Sequence, residues 1–502
     1  MKPYTSVFVF SIIGLIGVSY CLDCTAEKSL ICRKQTNCLD CIRAHSCCNW
    51  CYKAGSSSIN ACDVKNELSN CEYVEENQAV AIISNVTLNK QISPQSYKVI
   101  LRKDETVKLT VTYQADRDYP LELYYLTDLS YSMRDYVETL KSLGDKLRTS
   151  LSSLTKNYKL AYGSFLDKPG MPFTLTSPDN FENPCNTDKL KCNPTYLFKH
   201  TLNFTSNTDE FFKAVTDSQI SANLDDLDGA LEAIQQVLLC DETLGWTEES
   251  RKLIVLSTDS LLHSAGDGIL VGATRVNPGK CLIDRFGEHI DPLTYDYPSI
   301  AEIRSLLRKY KVNLIVAVQE KEHFYQSLKN STLQKEMYVG RLKNASDILQ
   351  LVTDGFQQFI RQVEFSTDTS DIPELDVKFF SDCNQGSVTE TTFCQNIDPY
   401  QKIDFNVELT LKEWVSDSRY RRIIIREKNI NEELTIDINF PDKCNCINLD
   451  AALKNVTCNN GILSCGKCIC NKGWKGDRCS EECLDSLDGC IERGASNFCS
   501  GK

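Results

Sequence analysis

Leu121–Met133, Leu-Glu-Leu-Tyr-Tyr-Leu-Thr-Asp-Leu-Ser-Tyr-Ser-Met, opens with an apolar run, Leu121–Leu126, and breaks off into Asp128-Leu129-Ser130-Tyr131-Ser132. Beyond it Val137, Leu140, Leu147, Leu151 and Leu154 recur at three-, four- and seven-residue steps. The order is buried strand, polar loop, amphipathic helix, with the helix expected over Asp135–Leu154. In a parallel α/β sheet, a loop at a strand's carboxyl end is where ligands sit. A carboxylate and two hydroxyls at Asp128, Ser130 and Ser132 can aim three oxygens at one point. Hard oxygen ligands carrying little charge suit Mg²⁺, which keeps waters and open positions. The pattern alone is weak, because an Asp ahead of a helix also serves as a cap and loops gather these residue types.

Working outward, strands are expected at Leu160–Leu166, Leu253–Leu256 and Val312–Val318. Helices are expected at Leu227–Leu239, Ser299–Tyr310 and Ala345–Val363. Strand and helix alternate, so the expected fold is α/β, a doubly wound parallel sheet. The flanks differ. Val107, Leu109, Val111 and Tyr113 alternate with polar residues, and so do Ile403, Phe405, Val407, Leu409 and Leu411. Period two means half-exposed strands. The α/β domain is therefore expected as an insertion in a β-sandwich.

The chain has 502 residues, is 42% hydrophobic and 25% charged, and carries a net charge of −13. Length suggests about three or four domains. The acidic balance argues against nucleic acid as a partner and suits cation binding or plain solubility. Residues 1–19 resemble a secretory signal peptide, with Lys2, the apolar run Val7–Val18 and the small-residue site Gly17-Val18-Ser19. Of 26 cysteines, ten precede residue 72 and ten follow residue 443. In a secreted chain that density implies disulfide frameworks, with zinc the less favoured reading of the C-x-x-C pairs. N-x-S/T acceptors for glycosylation stand at Asn85, Asn203, Asn330, Asn344 and Asn455.

The spacing from Cys32 through Cys51, followed by Cys62 and Cys71, resembles the plexin–semaphorin–integrin (PSI) module. Cys444 through Cys479, with Gly473-Trp474-Lys475-Gly476, resembles an integrin-type epidermal-growth-factor (EGF) module. Together with Asp128-Leu-Ser-Tyr-Ser-Met133, Phe165-Leu-Asp-Lys-Pro169, Glu182-Asn-Pro-Cys185 and Cys240-Asp-Glu-x-x-Gly-Trp246, these make the chain resemble an integrin β subunit. The resemblance implies a PSI module at 21–72, a hybrid β-sandwich at 73–118 and 364–443, and an inserted von Willebrand factor A-like domain at 119–363. It further implies an EGF-like module at 444–482 and an incomplete second one at 483–502. Cys483, Cys490 and Cys499 have no evident partners, so the chain is expected to be a fragment or a truncated product.

The resemblance also carries sites. Asp128, Ser130, Ser132, Asp228 and Asp259 match the Mg²⁺ (or Mn²⁺) adhesion site, with Asp228 where the family has glutamate. Asp228 can also be read as a cap of the helix at Leu227–Leu239. Asp167, Asn223, Asp225, Asp228 and the Leu227 carbonyl match a flanking Ca²⁺ site; the alternative for the acidic run is a solvated turn. A third site uses two consecutive acids, here Asp135 and Tyr136 beside Arg134, so it is expected weak or absent, and Tyr136→Asp is expected to restore it. The implied disulfides are Cys32–Cys48, Cys38–Cys444, Cys41–Cys62, Cys51–Cys71, Cys185–Cys192, Cys240–Cys281, Cys383–Cys394, Cys446–Cys465, Cys458–Cys468 and Cys470–Cys479. Cys24 and Cys47 are extra and are candidates to pair with each other.

The implied function is an adhesion receptor, not an enzyme. It pairs with an integrin α subunit and binds an exposed Asp or Glu of an extracellular ligand. Where many β subunits place an arginine against the α subunit, this chain has Ile269. The full-length form is expected as a single-pass type I membrane protein, or as a secreted one if the truncation is natural. Two alternatives are a soluble decoy and a secreted Mg²⁺-dependent hydrolase with Asp128 as nucleophile. Against the hydrolase, the loop lacks a second carboxylate two residues on, and no P-loop or G-x-S-x-G occurs.

Overall fold

A computed structural model describes residues 24 and 26–482, apart from 53–60, 70, 72, 76–80, 87–89, 104, 117, 142–148, 150–151, 153–154, 186–190, 345, 414–419, 442–443, 445 and 447–456. The expected signal peptide, Asn455, Cys21 and residues 483–502 lie outside the described residues.

A six-stranded sheet holds the decisive stretch. Its order is Phe198–Thr205, Tyr158–Phe165, Leu121–Asp128, Arg251–Thr258, Val312–Val318, Met337–Arg341. Five strands run parallel, and Phe198–Thr205 is an antiparallel edge. Every residue of Leu121–Asp128 is buried, because both faces are covered. Leu121, Leu123 and Tyr125 pack under the helices Arg134–Lys141, Thr208–Asp217 and Asp347–Ile360. Tyr124 and Leu126 pack on the other side, under Ala230–Leu239, Ile300–Tyr310 and Glu322–Ser331. The chain passes from Leu121–Asp128 to Tyr158–Phe165 on one side and later returns as Arg251–Thr258 on the other. The loops after Asp128 and Thr258 therefore flank the switch point, where a crevice opens at strand carboxyl ends.

Several boundaries differ from expectation. The helix expected at Leu227 begins at Ala230, because Leu227–Asp228 pairs as a short parallel strand with Leu261–Leu262. The helix expected over Ala345–Val363 is Asp347–Ile360; Val363 belongs to the strand Gln362–Thr367. Of Asp135–Leu154, the described helix is Arg134–Lys141.

Two further sheets share one apolar core. One is ordered Phe393–Gln395, Gln362–Thr367, Tyr420–Glu427, Glu433–Asn439, Ser96–Ile100, Ala81–Asn85. The other is Thr389–Glu390, Leu375–Ser381, Lys402–Leu411, Thr106–Gln114, Ile92–Ser93. The two alternating segments of the sequence lie side by side, with Val107 opposite Leu409 and Val111 opposite Phe405. Both sheets draw strands from before residue 115 and from after residue 361.

The first module is held by cystines around the buried Trp50, whose Nε1–H donates to Cys465 O at 3.1 Å. Tyr73–Glu75 pairs with Cys48–Tyr52, so this module's sheet runs past residue 72. The structure joins Cys24–Cys47, Cys32–Cys48, Cys41–Cys62 and Cys51–Cys71, and ties Cys38 to Cys444. It also joins Cys185–Cys192, Cys240–Cys281, Cys383–Cys394, Cys446–Cys465, Cys458–Cys468 and Cys470–Cys479.

Candidate metal centre

Asp128 ends its strand fully buried. Its Oδ1 accepts the Ser130 N–H at 2.7 Å, which turns the loop, and its Oδ2 accepts the Thr258 hydroxyl at 2.8 Å. The Ser130 and Ser132 hydroxyls lie 3.0 Å apart, and Ser132 Oγ donates to Asp259 Oδ1 at 3.2 Å. Asp259 directly follows the neighbouring strand. Two adjacent strand ends thus bring two carboxylates and two hydroxyls together. Burial, and then the Asp259 charge, push the Asp128 carboxyl above its ordinary range.

Asp228 is also fully buried. Its Oδ1 accepts the Asn223 amide at 2.6 Å, while Oδ2 has no hydrogen-bond partner among the described residues. Burial holds its carboxyl well above the usual range, helped by Asp128 and Asp167. Its cap reading fails, since the helix follows Gly229 and no side chain caps it. The Asn223 amide also reaches the carbonyls of Leu227 at 3.3 Å and Asp225 at 3.4 Å. Asp167 Oδ1 accepts the Lys168 N–H at 2.8 Å and the Tyr297 hydroxyl.

Three residues were not singled out from sequence. Thr258 orients Asp128, and Tyr297 orients Asp167. His263, buried, places Nε2 3.2 Å from Asp167 Oδ2 and 3.1 Å from Asp225 Oδ2. Burial lowers the imidazole pKa, but the bonds to Asp167 and Asp225 outweigh it and raise it to about 10. An imidazolium therefore stands between two of the flanking-site carboxylates. The available signal was its place four residues after Asp259, at the end of the short Leu261–Leu262 strand.

The donor set fits divalent cations. Asp225 Oδ1 and Asp228 Oδ2 are buried without hydrogen-bond partners among the described residues, all the donors are hard, and neighbouring carboxylates add to the burial that raises Asp128 and Asp228. A doubly charged ion reverses that repulsion.

A family model, the Integrin beta chain VWA domain, matches residues 116–363. The chain is 33% identical over 470 residues to "Integrin beta pat-3" of Caenorhabditis elegans, covering 89% of this chain and 58% of that one. It is 32% identical over 491 residues to pig "Integrin beta-6", covering 93% and 61%. This chain belongs to the integrin β family. Against "Integrin beta-1-A" of Xenopus laevis, 32% identity extends over 528 residues, 96% of this chain and 63% of that relative. The chain thus spans about six-tenths of the length of the relatives it matches.

As an integrin β chain it departs from expectation at Tyr136. Asp135 is exposed and pairs with Arg134 Nε at 3.1 Å. Tyr136 turns the other way, into the core, its hydroxyl 2.8 Å from that of Tyr125. It fills volume in the core, so Tyr136→Asp is expected to bury a carboxylate there and not to restore a cation site. The amides of Lys343 and Asn344 both donate to Asp347 Oδ2 at 2.9 Å. Ile269 is 62% exposed and Leu270 65% exposed, on a short turn beyond His263.

Proposed function

We propose that this integrin β chain is the ligand-binding partner of an integrin α subunit in an adhesion receptor. The observation that carries the reading is the meeting of Asp128, Ser130, Ser132 and Asp259 at adjacent strand ends beside Asp228. Mg²⁺ (or Mn²⁺) there supplies the open coordination position that an Asp or Glu of an extracellular ligand fills. Asp128, Asp228 and Asp259 supply the charge, and Ser130 and Ser132 neutral oxygens. Asp167, Asn223, Asp225, Asp228 and the Leu227 carbonyl hold Ca²⁺ beside it. The Asp135 site is weak.

The segment 119–363 acts as the inserted domain of the sandwich formed by 73–118 and 364–443, with 21–72, 444–482 and 483–502 as the small modules. The helix beginning at Arg134 follows the loop directly, so a loop shift is passed to the two crossings into the sandwich as a swing. The exposed Ile269 and Leu270 make the α contact apolar at that point. Asn203, Asn330 and Asn344 are exposed glycan acceptors, as is Asn85. No described helix is long and apolar enough to cross a membrane; the extracellular placement on the cell surface rests on the family. The test is co-immunoprecipitation of the full-length chain with mass spectrometry, beside cell attachment in Mg²⁺ and in EDTA. A co-purified α subunit and EDTA-sensitive attachment support the reading; a chain that reaches the surface alone and attaches in EDTA refutes it.

A further inference from the structure

Arg251 is the first residue of the strand Arg251–Thr258, at the end of the sheet opposite the cation loops. Its N–H donates to Pro120 O at 2.7 Å, where the chain crosses into the α/β domain. Its side chain, buried, leaves that domain. Nη2 donates to Gln91 Oε1 at 3.2 Å and to the Tyr113 hydroxyl at 3.0 Å, both in the sandwich. Gln91 Oε1 also accepts the Asp116 N–H at 3.1 Å, on the incoming crossing. The N–H groups of Gln91 and Ile92 both donate to Glu432 Oε2, at 2.8 and 3.0 Å. On the outgoing crossing, Glu364 N–H donates to Glu427 Oε1 at 3.3 Å.

Glu427 and Glu432 are only 1% and 4% exposed. Burial raises both carboxyls; the Arg251 charge is the main opposing influence on Glu427, whereas at Glu432 the Ile92 N–H, Lys90 and the Gln91 N–H precede it. A guanidinium stays charged at any relevant pH. Both acids belong to one hairpin of the sandwich; Glu427 accepts from the outgoing crossing at Glu364, and Glu432 from Gln91 and Ile92, the neighbours of Arg251. The joint is also incompletely bonded: Arg251 Nε, Gln91 Nε2 and Glu432 Oε1 are buried without a hydrogen-bond partner among the described residues. Separating the two bodies breaks both Arg251 hydrogen bonds to the sandwich and leaves a buried guanidinium short of partners, which opposes separation.

We infer that Arg251 is the positioning residue that fixes the angle between the α/β domain and the sandwich. Its consequence, a closed arrangement that the swing must break, rests on the adhesion reading. The experiment reads the joint without cation or ligand, so failure here leaves the adhesion reading standing, and failure of adhesion leaves the joint standing. The intact chain is compared with Arg251→Met and with Arg251→Met/Glu427→Gln/Glu432→Gln by amide hydrogen exchange and small-angle X-ray scattering. In Arg251→Met, exchange at Gln91, Ile92 and Glu364 rises about tenfold or more, exchange at Leu253–Leu256 stays native, and the scattering distance distribution broadens. The triple variant regains thermal stability, because no uncompensated charge remains, yet its joint amides still exchange fast. If the single variant does not fold, the triple variant decides. Native exchange at those amides, or an unchanged scattering profile, overturns the assignment.

Discussion

Thr258→Val isolates the orientation of Asp128 from its charge. The Thr258 hydroxyl donates to Asp128 Oδ2 at 2.8 Å with both residues buried. Valine is close in shape and cannot donate, so the fold is expected to persist. A hydrogen bond to a charged group contributes about 1.5–3 kcal/mol. If that is lost from the cation-bound state, Mg²⁺ affinity falls roughly 10- to 100-fold, the usual scale for partners that orient metal ligands. The pH dependence has a definite sign. Burial and Asp259 already raise the Asp128 carboxyl, and the Thr258 bond opposes that. Removing it raises the carboxyl further, so Mg²⁺ binding needs a higher pH. The assay is calorimetric titration of the intact chain with Mg²⁺ in saturating Ca²⁺, across pH. Thr127→Val, on the opposite face of the strand, is the control and is expected to bind normally. Equal Mg²⁺ affinity in Thr258→Val and the native chain refutes the reasoning.

His263→Gln removes the imidazolium between Asp167 and Asp225, and Ca²⁺ affinity of the flanking site at neutral pH is expected to rise about tenfold, since no proton must be displaced; calcium titration checks this. Because the His263 pKa is raised from 6.5 to about 10, its contribution to cation-free stability is complete below pH 6.5 and fades as pH rises toward 10, and urea midpoints of the variant should lack that decline. Tyr136→Asp is expected to destabilise by about 3–5 kcal/mol, through lost aromatic burial and an orphaned Tyr125 hydroxyl, and to gain no Ca²⁺ response; denaturant melts and adhesion across a Ca²⁺ titration read both. Cys38→Ser opens a bridge spanning 406 residues and should cost about 6 kcal/mol in the chain-entropy picture. Thermal melts measure the cost, and peptide mapping should find Cys444 free.

The central strand was legible because Leu121–Asp128 is buried on both faces, which leaves a largely apolar run through Leu126 interrupted only by Glu122. The two alternating strands were legible because Val107–Tyr113 and Ile403–Leu411 each present one face to a core and one to water. Phe198–Thr205 was missed as a strand: it lies at the sheet edge, and its outer positions carry Thr201 and Asn203. Asp128, Ser130 and Ser132 share one loop and so were visible together. Their orienters were not, because Thr258, Tyr297 and His263 reach the site from other strands and loops, and nothing in spacing links them. Tyr136 shows the opposite error, since chain position placed it beside the cation loop while helix geometry turned its ring into the core.

The most direct test compares native and Asp128→Ala chains for Mn²⁺ bound at equilibrium in saturating Ca²⁺, and the assembled receptors for Mg²⁺-dependent attachment. The native chain should retain one more Mn²⁺ than the variant, and a secreted, correctly disulfide-bonded variant should lose attachment. Equal Mn²⁺ stoichiometry, or Mg²⁺-dependent attachment by a folded Asp128→Ala receptor, would contradict the assignment of this loop as the ligand-binding metal site.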